Sequence, residues 1–136
     1  MPKKILLVED DPEIVEMLRF ALNREGYAIR TAVTGREALR KALIAPPDLI
    51  LLDLILPGLN GFNVCERLRS HPTTASVPII MVTALPGELP RLAGMELGAD
   101  EYIRKPFEIQ ELVSLVREWF RQPHVRADRE SHRLAA

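Results

Sequence analysis

Five side chains suited to phosphate chemistry stand at the ends of short apolar runs in this chain. They are Glu9 and Asp10 after residues 5–8, Asp53 at the end of 49–53, Thr83 after 79–82, and Lys105 after 102–103. Burying an unpaired charge is costly, so a carboxylate at the end of a buried strand has a chemical role more often than a structural one. Asp53 is the strongest candidate, because the turn-rich segment 57–61 follows it closely.

Together these residue types could bind a divalent metal ion and a phosphoryl group. Three carboxylates held close together would raise each other's pKa values unless a cation lay between them. Mg²⁺ is the expected ion, because it takes hard oxygen ligands, keeps several waters and often serves a phosphate. Thr83 offers a hydroxyl donor and Lys105 a positive charge, and both suit the oxygens of a phosphoryl group.

The hydrophobic pattern predicts five short strands that alternate with five amphipathic helices. The predicted strands are 4–8, 27–33, 49–53, 79–82 and 101–103. The first predicted helix begins at Pro12 and ends near Gly26, and the second begins after Thr34 and ends before Pro46. The third spans about 61–69, the fourth spans about 88–97, and the fifth includes 109–120. Five βα units with helical crossovers imply an α/β fold, with a doubly wound parallel sheet and right-handed crossovers. Ligands of such folds bind outside the carboxyl ends of the strands, so the five candidate residues should converge there.

Local signals mark the helix starts and the inward faces. Asp11 is predicted to be an N-cap, and Thr34 and Glu37 have the spacing of a capping box. The apolar stripe of the first helix consists of Ile14, Met17, Leu18, Ala21 and Leu22. In the third helix Phe62, Cys65 and Leu68 are predicted to point inward, which makes the single cysteine an inert core thiol.

Length and charge limit the kinds of partner. A chain of 136 residues is one domain with a single sizeable core. With 18 Lys and Arg against 19 Asp and Glu, the net charge of -1 gives no global field for nucleic acid or an anionic membrane. Apolar runs are too short for a membrane span, and the amino terminus lacks the features of a signal peptide, so we expect a cytoplasmic protein. The three histidines show no zinc-ligand spacing.

The motifs resemble those of the receiver domains of two-component response regulators, most closely the receivers attached to winged-helix transcription factors. The resemblance covers about residues 3–121 and is carried by Glu9-Asp10-Asp11, by the segment 53–61, by Thr83-Ala84 and by the segment 98–107. It implies a flavodoxin-like (βα)5 fold with the strand order 2-1-3-4-5.

The resemblance also implies roles for individual residues. Asp53 would be the phosphoacceptor, and Lys105 and Thr83 would contact the phosphoryl oxygens. Mg²⁺ would be held by Glu9, Asp10 and Asp53 and by the carbonyl group of Ile55. A cis peptide bond before Pro106 would aim Lys105 into the site.

The implied reaction is phosphoryl transfer from a sensor histidine kinase or a phosphotransfer protein to Asp53. The new charge would draw Thr83 inward, while Tyr102 turns to fill the space, and so switch the face made by the fourth helix, fifth strand and fifth helix. Family members that dephosphorylate quickly tend to have polar residues two positions beyond the aspartate and the threonine, where this chain has Ile55 and Leu85. Slow hydrolysis is therefore expected.

Three other classes of protein fit the same residues less well. A flavodoxin-like cofactor binder would need a phosphate-binding loop after the first strand, where the acidic triplet would repel a phosphate. An aspartate-dependent phosphatase of the haloacid dehalogenase type would need a second aspartate at the position of Ile55. A pseudo-receiver adaptor, which binds partners without being phosphorylated, is disfavoured because every member of the site is present.

The sequence does not identify the partner that the output face of the predicted switch would bind. Leu115 and Gln122 stand where winged-helix relatives usually carry basic residues that pair across a symmetric dimer, although Arg91 and Glu111 retain one possible pair. The output face is expected either to form a phosphorylation-dependent homodimer or to bind a downstream protein target. We predict a receiver domain over residues 1–121 and a polar linker or disordered tail over 122–136, so the chain is either a single-domain regulator or a fragment of a longer one.

Overall fold

Five strands and five helices alternate along the chain, in the predicted order. The structure is a computed structural model that describes residues 1–122. The elements are β1 Lys4–Val8, α1 Pro12–Arg24, β2 Ala28–Ala32, α2 Gly35–Ile44, β3 Leu49–Asp53, α3 Gly61–Ser70, β4 Ile79–Thr83, α4 Leu89–Glu96, β5 Glu101–Arg104 and α5 Ile109–Arg121. The predicted tail lies outside the described residues, except for Gln122. No helix within residues 1–122 has the length and apolar character needed to cross a membrane.

The strands form one parallel sheet with the order β2-β1-β3-β4-β5, as predicted. From β1 the chain moves outward to β2, and it then returns past β1 to build β3, β4 and β5 on the other side. The direction therefore reverses between β1 and β3. In doubly wound folds the ligand site lies outside the carboxyl ends of the strands at this reversal.

Alternate residues of the strands supply two hydrophobic layers on opposite faces of the sheet. Leu6 and Ile50 belong to the layer covered by α2 and α3, and Ile5 and Leu49 belong to the layer covered by α1 and α5. Every residue of β3 and of β4 is buried. Burying one such side chain stabilises the fold by about 1.5–3 kcal/mol, so the central strands are the most firmly held part of the sheet.

Two predicted caps begin the helices that flank the site. The Asp11 carboxylate accepts a hydrogen bond from the backbone N–H of Glu13 at 3.0 Å. At the start of α2, Thr34 Oγ1 accepts from the N–H of Glu37 at 3.1 Å, and the Glu37 carboxylate accepts from the N–H of Val33 at 2.7 Å. These bonds satisfy N–H groups that have no partner inside a helix, so they fix where each helix starts.

The prediction of the inward face of α1 was partly wrong. Val15, Leu18 and Leu22 face the sheet, whereas Met17 is 45% exposed. Val15, Leu18 and Leu22 are spaced by three and four residues and so lie on one side of the helix. Met17 lies about 100° away from Leu18 around the helix axis, which places it on the flank. The predicted second strand was also too long by one residue at each end.

Candidate functional site

Three carboxylates lie together at the carboxyl ends of β1 and β3. Glu9 and Asp10 follow β1, Asp53 ends β3, and the two strands are neighbours that pair Val8 with Leu52. One carboxylate oxygen from each of the three residues lies within 4.8 Å of the other two. Glu9 is 2% exposed and Asp53 4% exposed, while Asp10 is exposed to solvent. The cluster therefore has two buried carboxylates and one that opens to water.

Glu9 is held by the backbone around it. Its N–H donates to the carbonyl oxygen of Ala32 at 3.0 Å, which ties the end of β1 to the end of β2. Its carboxylate accepts from the N–H of Asp11 at 3.1 Å and from Lys105 Nζ at 2.8 Å. Burial raises the pKa of Glu9, helped by the charge of Asp53, although the bonds to Lys105 and Asp11 act in the opposite direction. The site thus favours a cation beside this carboxylate.

Asp53 has both carboxylate oxygens engaged. Oδ1 accepts from the N–H of Ile55 at 3.0 Å, and Oδ2 accepts from Lys105 Nζ at 3.1 Å. The start of α3 packs closely against this strand end, because a Cβ at Gly61 would lie 2.5 Å from the Asp53 carbonyl oxygen. Gly58 in the intervening turn has φ of 75°, a backbone conformation that favours glycine. Gly61 therefore allows α3 to begin in direct contact with the end of β3.

Lys105 reaches the cluster from the loop between β5 and α5. Its backbone N–H donates to the carbonyl oxygen of Thr83 at 2.8 Å, and the peptide bond to Pro106 is cis, as the resemblance implied. Burial lowers the pKa of Lys105, but the hydrogen bonds and charges of Glu9 and Asp53 outweigh it, so the net pKa is raised. The ammonium group therefore remains charged and bridges the two buried carboxylates.

Thr83 and Tyr102 lie on the two strands beyond β3. Asp53 pairs with Val82, so Thr83 is the next residue along β4 and is completely buried. Its hydroxyl oxygen accepts from the N–H of Leu85 at 3.2 Å. Tyr102 is half-buried on β5, and its hydroxyl group has no hydrogen-bond partner among residues 1–122. Burial raises the pKa of Tyr102, so the phenol stays neutral.

The donor set fits Mg²⁺. All three carboxylates offer hard oxygen ligands within a small volume, and the exposed position of Asp10 leaves room for the waters that this ion retains. The ligand role predicted for the carbonyl group of Ile55 stays a prediction, because Ile55 contacts Asp53 here through the hydrogen bond that its backbone N–H donates.

The sequence pattern did not predict the carboxylate partners of two cations, Lys105 and Arg69. Lys105 was expected to meet phosphoryl oxygens, and here it joins Glu9 to Asp53. At the opposite end of the sheet, Arg69 and Asp100 form a buried pair at 2.8 Å, and Asp100 also accepts from the N–H of Ile79. Opposite charges at neighbouring strand ends were a signal for the first pair, whereas nothing in the local pattern marked the second.

The chain matches one protein family and many individual proteins. Residues 5–117 match the family described as the response regulator receiver domain. The alkaline phosphatase synthesis transcriptional regulatory protein PhoP of Bacillus subtilis is 44% identical over 127 residues, which is 93% of this chain and 52% of PhoP. The phosphate regulon transcriptional regulatory protein PhoB of Rhizobium meliloti is 38% identical over 146 residues, covering 98% of this chain and 64% of PhoB.

A solved structure agrees with these matches. The chemotaxis protein CheY4 of Vibrio cholerae superimposes with a TM-score of 0.82 at 31% identity, over 87% of this chain and 98% of CheY4. The chain spans about half the length of PhoP and under two thirds of PhoB. The matches therefore cover the receiver part of PhoP and PhoB and agree with the fold described above.

Proposed function

The chain belongs to the response regulator receiver domain family, and on that premise we propose that Asp53 accepts a phosphoryl group with the help of Mg²⁺. A receiver is a signalling domain of two-component systems. The observation that carries the proposal is the position of Asp53, whose buried carboxylate lies 3.1 Å from Lys105 Nζ and beside Glu9 and Asp10.

The proposed donor is a phosphohistidine on a sensor histidine kinase or a phosphotransfer protein. A carboxylate oxygen of Asp53 attacks the phosphorus in line, the bond from phosphorus to the histidine nitrogen breaks, and an aspartyl phosphate forms. Glu9, Asp10, Asp53 and the carbonyl group of Ile55 would hold Mg²⁺, which when bound neutralises charge on the phosphoryl oxygens. Lys105 supplies a second positive charge from a fixed position, and such preorganised charges dominate catalysis of phosphoryl transfer.

An apolar surface beside the site supports a protein donor. Met17 is 45% exposed and Phe20 65% exposed on α1. Met17 and Ile14, together with Pro106 and Phe107, line a cavity of about 320 Å³ that reaches Lys105. Exposed apolar area of this kind marks a protein contact surface, and its position would bring a donor within reach of Asp53.

The proposed output is a switch in α4, β5 and α5. A phosphoryl group on Asp53 offers the Thr83 hydroxyl a charged partner in place of the Leu85 N–H, and Tyr102 can follow because its own hydroxyl has no partner to lose. The helix that must move is weakly held, since α4 has eight residues, no side-chain cap bond and Gly94 in its interior. Homodimer formation and capture of a protein target are both compatible with this switch.

The extent and the location of the domain are part of the proposal. The family match over residues 5–117 supports a receiver unit of residues 1–121. The cytoplasmic location stays a prediction of the sequence. Catalysis by the chain would be limited to its own phosphorylation and dephosphorylation.

The test is labelling with a small phosphodonor, acetyl phosphate, in the presence of Mg²⁺, followed by intact mass measurement. The wild-type chain should gain one phosphoryl group, and Asp53→Asn should gain none. Asp48→Asn is the matched control, because it makes the same chemical change five residues before Asp53 and should label normally. An unlabelled wild-type chain would support the pseudo-receiver alternative, and full labelling of Asp53→Asn would overturn the assignment.

A further inference from the structure

The loop between β4 and α4, residues 84–88, is hydrogen-bonded to the neighbouring strand by one side chain. The guanidinium group of Arg104, the last residue of β5, donates a hydrogen bond of 2.7 Å to the carbonyl oxygen of Gly87. Within residues 1–122, the other hydrogen bonds of this loop are made with Thr83 or with α4 itself. Arg104 therefore provides the polar contact that fixes the loop relative to β5.

The opposite end of α4 is held much more firmly. The Arg69 guanidinium group donates to the carbonyl oxygen of Gly98 at 2.9 Å and forms an ion pair with Asp100 at 2.8 Å. Asp100 is joined to β4, because its N–H donates to the carbonyl oxygen of Ile79 and its carboxylate accepts from the N–H of Ile79, both at 2.8 Å. The side chains of Arg69 and Asp100 are 7% and 2% exposed, so water competes little for these bonds. The carboxyl end of α4 is therefore fixed, whereas its amino end follows a loop held by one exposed arginine.

Arg104 lies on the same face of β5 as Tyr102, because side chains two residues apart in a strand point the same way. Tyr102 packs against the layer covered by α2 and α3, whereas Ile103 belongs to the opposite layer. Burial raises the pKa of Tyr102, and the positive charge of Arg104 is the largest influence that lowers it, so the guanidinium group lies near the phenol. Arg104 therefore joins the loop to the sheet beside the side chain that the proposed switch would move.

The order of the sheet sets the direction in which the switch would act on this hydrogen bond. β4 lies between β3, which carries Asp53, and β5, which carries Arg104. Thr83 at the end of β4 is the register partner of Arg104. A phosphoryl group on Asp53 that draws Thr83 and the loop toward β3 therefore draws Gly87 away from β5. The same movement lengthens the hydrogen bond between Arg104 and Gly87.

We propose that the hydrogen bond from Arg104 to Gly87 is a regulatory contact, which stabilises the unphosphorylated arrangement of the β4–α4 loop and opposes the switch. This inference rests on the proposed function and adds a residue that controls it. A bond present in only one of two arrangements shifts their populations, and a ligand that favours the other arrangement then binds more weakly. Arg104 thereby limits the fraction of the protein that occupies the active arrangement before phosphorylation.

The first experiment compares the wild-type chain with Arg104→Met, which keeps an unbranched side chain but removes the hydrogen-bond donor. Binding of beryllofluoride, a mimic of the phosphoryl group, is measured by NMR titration at saturating Mg²⁺. Arg104→Met should bind beryllofluoride about fivefold more tightly, since one hydrogen bond has a modest net strength. Loss of a positive charge acts in the opposite direction on an anionic ligand. Weaker or unchanged binding in Arg104→Met would therefore overturn the inference.

Two control variants separate the hydrogen bond from the charge. Arg104→Lys keeps the charge and a donor group, so its affinity for beryllofluoride should lie closer to that of the wild-type chain than the affinity of Arg104→Met does. Arg67→Met removes the same charge from an exposed position on α3 and should bind like the wild-type chain. Equal tightening in Arg67→Met would show a general effect of net charge and would exclude a role for the contact with Gly87.

Amide hydrogen exchange of the unphosphorylated protein keeps this inference distinct from the proposed function. Arg104→Met should speed exchange at Leu92, whose N–H donates to the carbonyl oxygen of Glu88 at the start of α4. Exchange at Asp100 should not change, because that end of the helix stays fixed. Unchanged exchange at Leu92 with normal labelling of Asp53 overturns the inference alone. Faster exchange in a chain that neither labels nor binds beryllofluoride counts against the phosphoacceptor role alone.

Discussion

Lys105 Nζ donates a hydrogen bond of 2.8 Å to Glu9 Oε1, across 96 residues of sequence. The same nitrogen lies 3.1 Å from Asp53 Oδ2, so one ammonium group joins the ends of β1 and β3. Both carboxylates are buried, and a buried carboxylate without a counter-charge would be strongly unfavourable. Lys105 therefore stabilises the cluster before any metal or phosphoryl group arrives, and it must share the carboxylates with them afterwards.

Because Lys105 contacts the carboxylates that would bind the metal ion, replacing it should have opposite effects on Mg²⁺ affinity and on the rate of phosphorylation. Lys105→Met removes a positive charge next to Glu9 and Asp53, so Mg²⁺ should bind more tightly, because the negative potential of the cluster rises. Labelling by acetyl phosphate should fall by roughly 10²-fold, because a charge that contacts the phosphoryl oxygens is lost. Calorimetry measures the first effect and a labelling time course the second. Weaker Mg²⁺ binding in the variant would contradict the idea of competition.

The metal site should be weak and sensitive to pH. Few carboxylates and several retained waters do not form a closed cage, so Asp10→Asn should weaken Mg²⁺ binding further. Burial raises the pKa of Glu9 above its ordinary value of 4.5, so protons compete for this ligand at a higher pH than for an exposed glutamate. Affinity should therefore fall as pH is lowered toward that raised pKa. NMR titration across pH checks both points, and an unchanged response in Asp10→Asn would refute the site.

The phosphorylated state should be long-lived. Ile55 is 53% exposed beside Asp53, and Leu85 is half-buried after Thr83. Neither side chain can hydrogen-bond a water and direct it at the phosphorus. The expected lifetime is minutes to hours, and Ile55→Asn with Leu85→Glu should shorten it. Ile55→Val serves as the control with no polar group, and a wild-type lifetime of seconds would contradict the prediction.

Thr83 should couple the phosphoryl group to the output face without being needed for its attachment. Thr83→Ala removes the hydroxyl that would move, so labelling should persist while the response of Tyr102 and α4 to a beryllofluoride mimic is reduced. Chemical shifts of these residues in wild type and variant provide the measurement. Thr83→Ser retains the hydroxyl and should behave like wild type. A response confined to α1 in the wild-type chain would rule out the proposed face.

Much of the fold could be predicted because its signals are local. The strand positions follow from short apolar runs, and the helix starts follow from Asp11 and Thr34, each of which caps an N–H two or three residues away. Since the carboxyl ends of parallel strands share one edge, the convergence of Glu9, Asp10 and Asp53 also followed from the pattern of elements. These inferences need only periodicity, capping and the handedness of crossovers.

Contacts between distant segments were decided by the tertiary structure alone. Periodicity does not say which cation meets which anion, and so the link from Lys105 to Glu9 and the buried pair of Arg69 and Asp100 appeared only when the strands were in place. The exposure of Met17 likewise depends on the angle at which α1 meets the sheet. The sequence by itself determined the order of elements and the residue types at the strand ends, because those depend on neighbours along the chain. Packing determined the partners, because the energy of a charge or an apolar side chain depends on what surrounds it in space.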